Sequence, residues 1–291
     1  MGMVAAVDES MSFPVGTPRH RLRAEVARPD QDIDLARAAL LVAVEEYSQL
    51  PIERYLGRLD LLAEEIRDRL NGETAELIVM QELVDHLFRR RGFTGNREAY
   101  YDPRNSFLND VLDRGLGIPL SLGILTLEVG WRLDLPLVGV NFPGHFLVRW
   151  QGEEIRLLID PFHGTASFEE EAQQILDRVY GGVVRMQDRF LREASRRDML
   201  IRLLTNLKAI YLKVNDLPRA LAAIERILLL RPTLRGEVRD RGMVLARLGR
   251  HVEALEHLEA YLTAAPDARD GEHVGEVVTR LRRRLYGPGA R

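Results

Sequence analysis

The 291-residue chain contains no cysteine, which excludes disulfides, thiolate metal sites and a cysteine nucleophile. It also lacks a large excess of either charge. Its 41 Lys and Arg against 44 Asp and Glu leave a formal net charge of −3. That balance provides no electrostatic footprint for nucleic acid or an anionic membrane, so neither is expected as a partner. No uninterrupted apolar run approaches the roughly 20 residues that span a bilayer. The segment Met1 to Thr17 lacks the basic-then-apolar order of a signal peptide. Absence of cysteine fits a reducing compartment, and the cytoplasm is the expected location. What is present is globular: 46% hydrophobic and 29% charged residues, over a length that suits two ordinary domains.

Residues 1–30 carry Pro14, Gly16, Pro18 and Pro29 among charges and read as a flexible tail. Helical patterning follows. Ile33 to Tyr47 is apolar enough to be largely buried. Ile52, Tyr55, Leu56, Leu59, Leu62, Ala63, Ile66 and Leu70 hold one face at a 3.6-residue period, opened by Pro51 and closed by Asn71-Gly72. Leu77 to Phe88 defines a third helix that stops at Gly92, and Asp102-Pro103 caps a fourth that runs to Gly115. Pro119 opens a fifth, Leu120 to Leu133, apolar on nearly every side and therefore central. The period then changes. Leu137 to Phe142, His145 to Trp150 and Ile155 to Ile159 are short, β-branched or aromatic, and separated by Gly or Pro. A charged helix, Phe168 to Tyr180, leads through Gly181-Gly182 out of a domain assigned to residues 31–190. The expected fold class is α+β: a helical first half with a small antiparallel sheet, then an all-α section over 195–286.

That last section contains an internal repeat. Ala220 and Ala254 stand about 34 residues apart, as do Pro232 and Pro266. Asn215 and Gly249 occupy the turn of each copy, and Lys208 and Gly242 the close-packing position. The repeats are placed at residues 201–234 and 235–268. Val274, Val277, Val278, Leu281 and Leu285 then form an amphipathic helix over 270–286, suited to cover the open end of the stack.

The chemistry-bearing residues gather around the strands. A tight turn at Gly152-Glu153 pairs Trp150 with Ile155, Leu147 with Leu158 and His145 with Asp160. Opposed residues share a face, with Cβ atoms about 4.5–5.5 Å apart, so a His–Asp pair is predicted. An aspartate there fixes the imidazole tautomer and stabilises its cation. Ser121 falls in the first turn of the helix opened by Pro119, where free N–H groups and the positive dipole end favour negative charge. His163, three residues after Asp160, raises a metal reading with His145. The ligand count falls short of a closed zinc site, and no metal or other cofactor is expected. Arg89-Arg90-Arg91 and Arg282-Arg283-Arg284 read as helix-end charges facing solvent. Glu128 with Arg132 reads as a helix-surface ion pair.

The segments Gly117-Ile118-Pro119-Leu120-Ser121-Leu122-Gly123, Phe142-Pro143-Gly144-His145-Phe146-Leu147-Val148-Arg149 and Leu158-Ile159-Asp160-Pro161-Phe162 together resemble the core of the transglutaminase-like superfamily. Joined to Tyr100-Tyr101-Asp102-Pro103-Arg104-Asn105-Ser106 and to the repeats, which resemble tetratricopeptide (TPR) units, they resemble the bacterial transglutaminase-like/TPR two-domain family. The resemblance covers about residues 30–270. It implies a papain/transglutaminase-like core with Ser121, His145 and Asp160 in the catalytic places. It implies binding positions at Asn105, Phe142 and Gly144, and at Tyr211 in the repeats. Transglutaminases carry cysteine where this chain has Ser121. A thiol is several units more acidic than an alcohol, so a Cys–His pair can hold a ready thiolate. Serine must lose its proton during attack, which demands closer placement of the base. Two readings follow. One is a protein- or peptide-binding protein, regulatory in role, whose transglutaminase-like cleft is a non-catalytic scaffold and whose TPR surface holds the partner. The other is a Ser-His-Asp amide or ester hydrolase, or acyl transferase, on a peptide-like substrate.

Overall fold

The computed structural model describes residues 13–152 and 155–287. The chain divides into two units, one of residues 15–203 and one of residues 204–291 together with 1–14. Among the described residues, no helix is long and apolar enough to cross a membrane.

The first unit opens with α1 (Pro18–Val26), where a flexible tail was expected. Thr17 accepts a hydrogen bond from the His20 amide at 3.3 Å, Pro18 suits the first turn, and Leu22 and Val26 are buried. The rest of that expectation, residues 1–12, lies outside the described residues. Next come α2 (Leu35–Ala43), α3 (Ile52–Leu70) and α4 (Glu76–Val84), which continues into a π turn over Asp85–Arg90. Asn71, at φ 47°, ends α3 in the left-handed conformation that asparagine tolerates.

The helix expected from Asp102 to Gly115 is split into a 3₁₀ turn, Pro103–Asn105, and α5 (Leu108–Arg114). The Asn105 carbonyl explains the break. It accepts from the Ile118 amide at 3.3 Å and from the Ser121 hydroxyl at 2.5 Å, so it is turned toward the next helix. That helix, α6 (Pro119–Arg132), is buried from Pro119 to Gly130 and forms the centre of the unit.

Two short strands, β1 (Thr94–Gly95) and β2 (Leu116–Gly117), pair in parallel. The main sheet is antiparallel, ordered β3 (Leu137–Val140), β4 (Leu147–Gln151), β5 (Arg156–Asp160) and β6 (Thr165–Phe168). Strand β6 was not expected, because its mostly exposed Thr-Ala-Ser-Phe run lacks an apolar alternation. The expected hairpin register is also corrected. Trp150 faces Leu157 and Gln151 faces Arg156, two residues away from the expected pairing. An even slip keeps every side chain on its predicted face. The turn expected at Gly152-Glu153 falls partly outside the described residues. Phe168 belongs to β6, so α7 starts later than expected, at Ala172, and runs to Tyr180. Its Ala172, Ile175 and Leu176 cover Val140, Phe142, Leu147 and Leu158 on one face of the sheet.

Glu128 corrects another expectation. Its ion pair with Arg132 is present, but the carboxylate is buried and also accepts the Ala36 amide, in the first turn of α2, at 2.8 Å. Burial drives its pKa up, against the opposing pull of Arg132 and that amide. Of the arginine triplets, Arg90 pairs with Glu82, Arg91 with Glu65 and Arg282 with Glu259.

The boundary between the units falls inside α8 (Arg196–Lys213). The Asp30 carboxylate accepts the Arg196 and Arg197 amides at 2.9 and 3.0 Å, so the start of this helix belongs to the first unit. The second unit continues with α9 (Leu217–Leu230), α10 (Arg235–Arg247), α11 (His251–Ala264) and α12 (Gly271–Tyr286). The turn positions match, with Asn215 at φ 60° and Gly249 at φ 78°. Ala220 and Ala254 are wholly buried. At Gly242 an added Cβ would come within 2.7 Å of Leu258, which explains the small residue. Lys208, its counterpart, instead sends Nζ to Glu237 at 2.6 Å and Asp240 at 3.0 Å. Val274, Val278 and Leu281 of α12 complete this core.

Candidate functional site

Extended backbone at Ile118 and Pro119 at the first helical position place Ser121 in the opening turn of α6. Gly117 has no side chain there, and a Cβ would lie 2.8 Å from the Ser121 oxygen. The hydroxyl is therefore enclosed, with Ser121 only 1% exposed. It accepts the Ile118 amide at 3.1 Å, and its proton has a carbonyl partner in Asn105 at 2.5 Å, with the Ile118 carbonyl farther away at 3.2 Å. Among the described residues, Ser121 makes no hydrogen bond to His145.

His145 sits in the turn before β4, not within the strand. Its amide donates to the Phe142 carbonyl at 3.0 Å, and Gly144 adopts φ 64° to close the turn. The neighbouring Phe146 anchors this turn. Its ring occupies space left by Gly123 of α6 and Gly139 of β3, where added Cβ atoms would lie 2.4 and 2.8 Å from it. Asp160 ends β5. Its Oδ1 accepts from His145 Nε2 at 2.9 Å and from the Phe162 and His163 amides at 3.1 and 3.2 Å. Its Oδ2 faces His163 Nδ1 at 2.8 Å. Burial pushes the Asp160 carboxyl up, but the imidazoles of His145 and His163 outweigh it and hold the group at about 2. Asp160 thus orients two imidazoles at once.

A cation would have to displace these contacts, because His145, Asp160 and His163 bring one ligand atom each within 4.8 Å of one another. Three donors already crowd Oδ1, which leaves Oδ2 and the two rings as the fit for a metal. That is one ligand short of a closed tetrahedral site.

Aromatic rings flank the pair. Phe162 meets His145 edge-on at 6.2 Å and Tyr100 at 6.1 Å, and Tyr100 meets Tyr101 at 5.4 Å. Phe162 itself lies over Gly95, where a Cβ would come within 2.3 Å of the ring.

The residues carried over as binding positions divide. Gly144 lies beside His145. Asn105 is fully buried; its Nδ2 donates to the Ala99 and Tyr100 carbonyls, and its Oδ1 accepts from Asn96 Nδ2 and Arg114 Nη1. Phe142 is packed under α7, and Tyr211 is buried in α8. Sequence reasoning missed Arg202, which donates to the His145 carbonyl at 2.7 Å and to Asn141 Oδ1 at 3.0 Å. Nothing in the local pattern of α8 marks it, since its partners lie about sixty residues earlier.

Other concavities lie elsewhere. A groove of about 1000 Å³ runs along the edge strand β6, lined by Leu77, Ile78, Ser167 and Phe168, and none of Ser121, His145 or Asp160 lines it. In the second unit a groove of about 320 Å³ is lined by Leu212, Arg239, Met243, Arg247 and His273.

Comparison with known proteins agrees with this architecture. The model for the transglutaminase-like superfamily matches residues 53–205, and one for the tetratricopeptide repeat matches residues 207–279. A UPF0162 protein of Xylella fastidiosa is 37% identical over 255 residues, covering 84% of this chain and 89% of the relative. The protein SirB1 of Salmonella typhimurium is 30% identical over 213 residues, covering 73% of this chain and 78% of its own length. A UPF0162 protein of Vibrio cholerae is 30% identical over 224 residues, 76% of this chain and 80% of the relative. The chain therefore belongs to the UPF0162 family of bacterial proteins, with a transglutaminase-like core followed by tetratricopeptide repeats.

Proposed function

We propose that this chain is a protein- or peptide-binding protein in which the transglutaminase-like core serves as a non-catalytic scaffold. The observation that carries this reading is the state of the Ser121 hydroxyl. A serine nucleophile must present a lone pair to the substrate and its proton to a base. Here the proton is directed to the Asn105 carbonyl and the oxygen accepts the Ile118 amide, inside a closed turn. The hydroxyl then acts as a structural tie between α6 and the 3₁₀ turn before α5. Helical repeats of the kind in the second unit generally mediate protein–protein contacts, and the groove by Met243 and His273 offers mixed apolar and charged lining for such a partner. A regulatory role is compatible with binding of this kind.

One observation favours the hydrolase reading: the His145–Asp160 hydrogen bond, which supplies an oriented imidazole. Two experiments separate the readings. Hydrolysis of p-nitrophenyl acetate should be the same for the wild-type chain and for Ser121→Ala, since His145 acts on no serine. Binding to an array of extended peptides should be sequence-dependent and unchanged by the same substitution. Ester turnover abolished in Ser121→Ala, or an array on which no peptide is retained above scrambled controls, would overturn the proposal.

A further inference from the structure

Arg202 has an electrostatic position unlike that of Arg132 and Arg241, two other arginines withdrawn from solvent. Arg132 pairs with Glu128 and Asp60, and Arg241 with Glu225. Arg202 forms no ion pair among the described residues. Its hydrogen bonds go to two neutral oxygens, the His145 carbonyl and Asn141 Oδ1. Burial depresses its pKa, and only the phenols of Tyr100 and Tyr180 oppose that shift. A guanidinium carries five N–H groups, so most of its donor capacity beside the His145 turn is unspent. A cation held this way, without a counter-charge, costs stability until an anion arrives.

The groups around it are also donors. Tyr100 and Tyr180 make no side-chain hydrogen bond to the described residues. Gly144 brings Tyr180 against the turn, since a Cβ there would lie 3.0 Å from the phenol oxygen and 2.7 Å from Val179. Tyr100 and His145 flank the same Phe162 ring. The cluster therefore offers one cation and two hydroxyls at the edge of an aromatic surface. We propose that Arg202, with Tyr100 and Tyr180, forms a recognition point for a carboxylate on a peptide-like ligand held beside His145. The inference rests on reading this surface as a binding site. A single guanidinium matches a monoanion, whereas a phosphate would bring about two negative charges. The carboxylate comes from a chain terminus or from an acidic side chain, and small probes distinguish the two.

The test uses the full chain and follows the Arg202 Nε–H resonance by NMR. The probes are N-acetylglycine for a terminus, N-acetyl-aspartate α-amide for a side chain, inorganic phosphate as the competing anion, and neutral N-acetylglycinamide as control. Either carboxylate should give a saturable shift with a Kd on the order of millimolar, and the neutral amide none. Arg202→Gln, which has no guanidinium signal and is read instead by the shift of the His145 backbone amide, should weaken binding at least about tenfold, and Tyr180→Phe about threefold. Tyr180→Phe keeps the guanidinium and its ties to the turn, so it remains informative if Arg202→Gln loosens that turn. Equal shifts with the neutral amide, preference for inorganic phosphate, unchanged affinity in both variants, or no saturable shift would overturn the proposal. Failure here leaves the account of Ser121 intact, and a reactive Ser121 would leave the carboxylate site intact.

Discussion

At Ser121 a side chain in the expected nucleophile position has become part of the helix cap. Alanine there would leave the Ile118 amide without its side-chain acceptor and the Asn105 carbonyl without the hydroxyl, in a region closed to water. The Ile118 amide and the Asn105 carbonyl would still meet each other at 3.3 Å, so the loss is that of the hydroxyl's own hydrogen bonds, about 1–2 kcal/mol. Urea unfolding of Ser121→Ala should show a loss of that size, and a change below about 0.5 kcal/mol would mean that the hydroxyl is not structural. Asp160 makes a second prediction. Its folded-state carboxyl, held at about 2, lies below the ordinary aspartate value. The folded state therefore gains stability that is fully present above the unfolded value and is lost as pH falls toward 2. The contribution is roughly 2 kcal/mol. A carbon-13 NMR titration of Asp160 with a midpoint above about 4 would contradict it. The His145–Asp160 contact was expected from a hairpin register that is two residues off, and it is made instead from the turn before β4, where His145 lies outside the strand. The hydroxyl's direction was not legible, because it depends on the Asn105 carbonyl, whose turn the sequence pattern merged into one long helix.

At the scale of elements, close approaches without a Cβ decide how the site is held. Gly95 of β1 lies under the Phe162 ring, and Phe162 belongs to the turn that carries Asp160 and His163. Gly95→Ala should displace that ring, cost about 1–3 kcal/mol and perturb the His145 and His163 NMR resonances together. Unchanged imidazole resonances would show that Phe162 does not brace the turn. In the repeats, His257 on α11 is pushed down to about 4, chiefly by burial and then by Arg241. A lowered folded value means the unfolded chain takes up the proton first. Stability of the second unit should therefore decline as pH falls from about 6.5 to about 4. Substituting His257 with Gln should flatten that decline. The long amphipathic helices were legible from their period. The edge strand β6 was not, because four residues of mixed polarity carry no alternation to read. The hairpin slipped by two residues because its loop is longer than a two-residue turn.

At the scale of the whole molecule, the order of a transglutaminase-like core followed by tetratricopeptide repeats could be read from quoted segments and a repeat of about 34 residues. The second domain was expected from residue 195, whereas the division into units falls at residue 204, within α8, which carries residues of both units. Arg202 was hidden because it sits on that helix, while the turn it holds lies before β4. The account as a whole rests on the claim that this family member binds without using Ser121 as a nucleophile. Intact-mass analysis after prolonged exposure to a fluorophosphonate, beside a reactive serine hydrolase as control, measures this most directly. The account predicts an unmodified chain; a stoichiometric adduct mapped to Ser121 and lost in His145→Ala would contradict it.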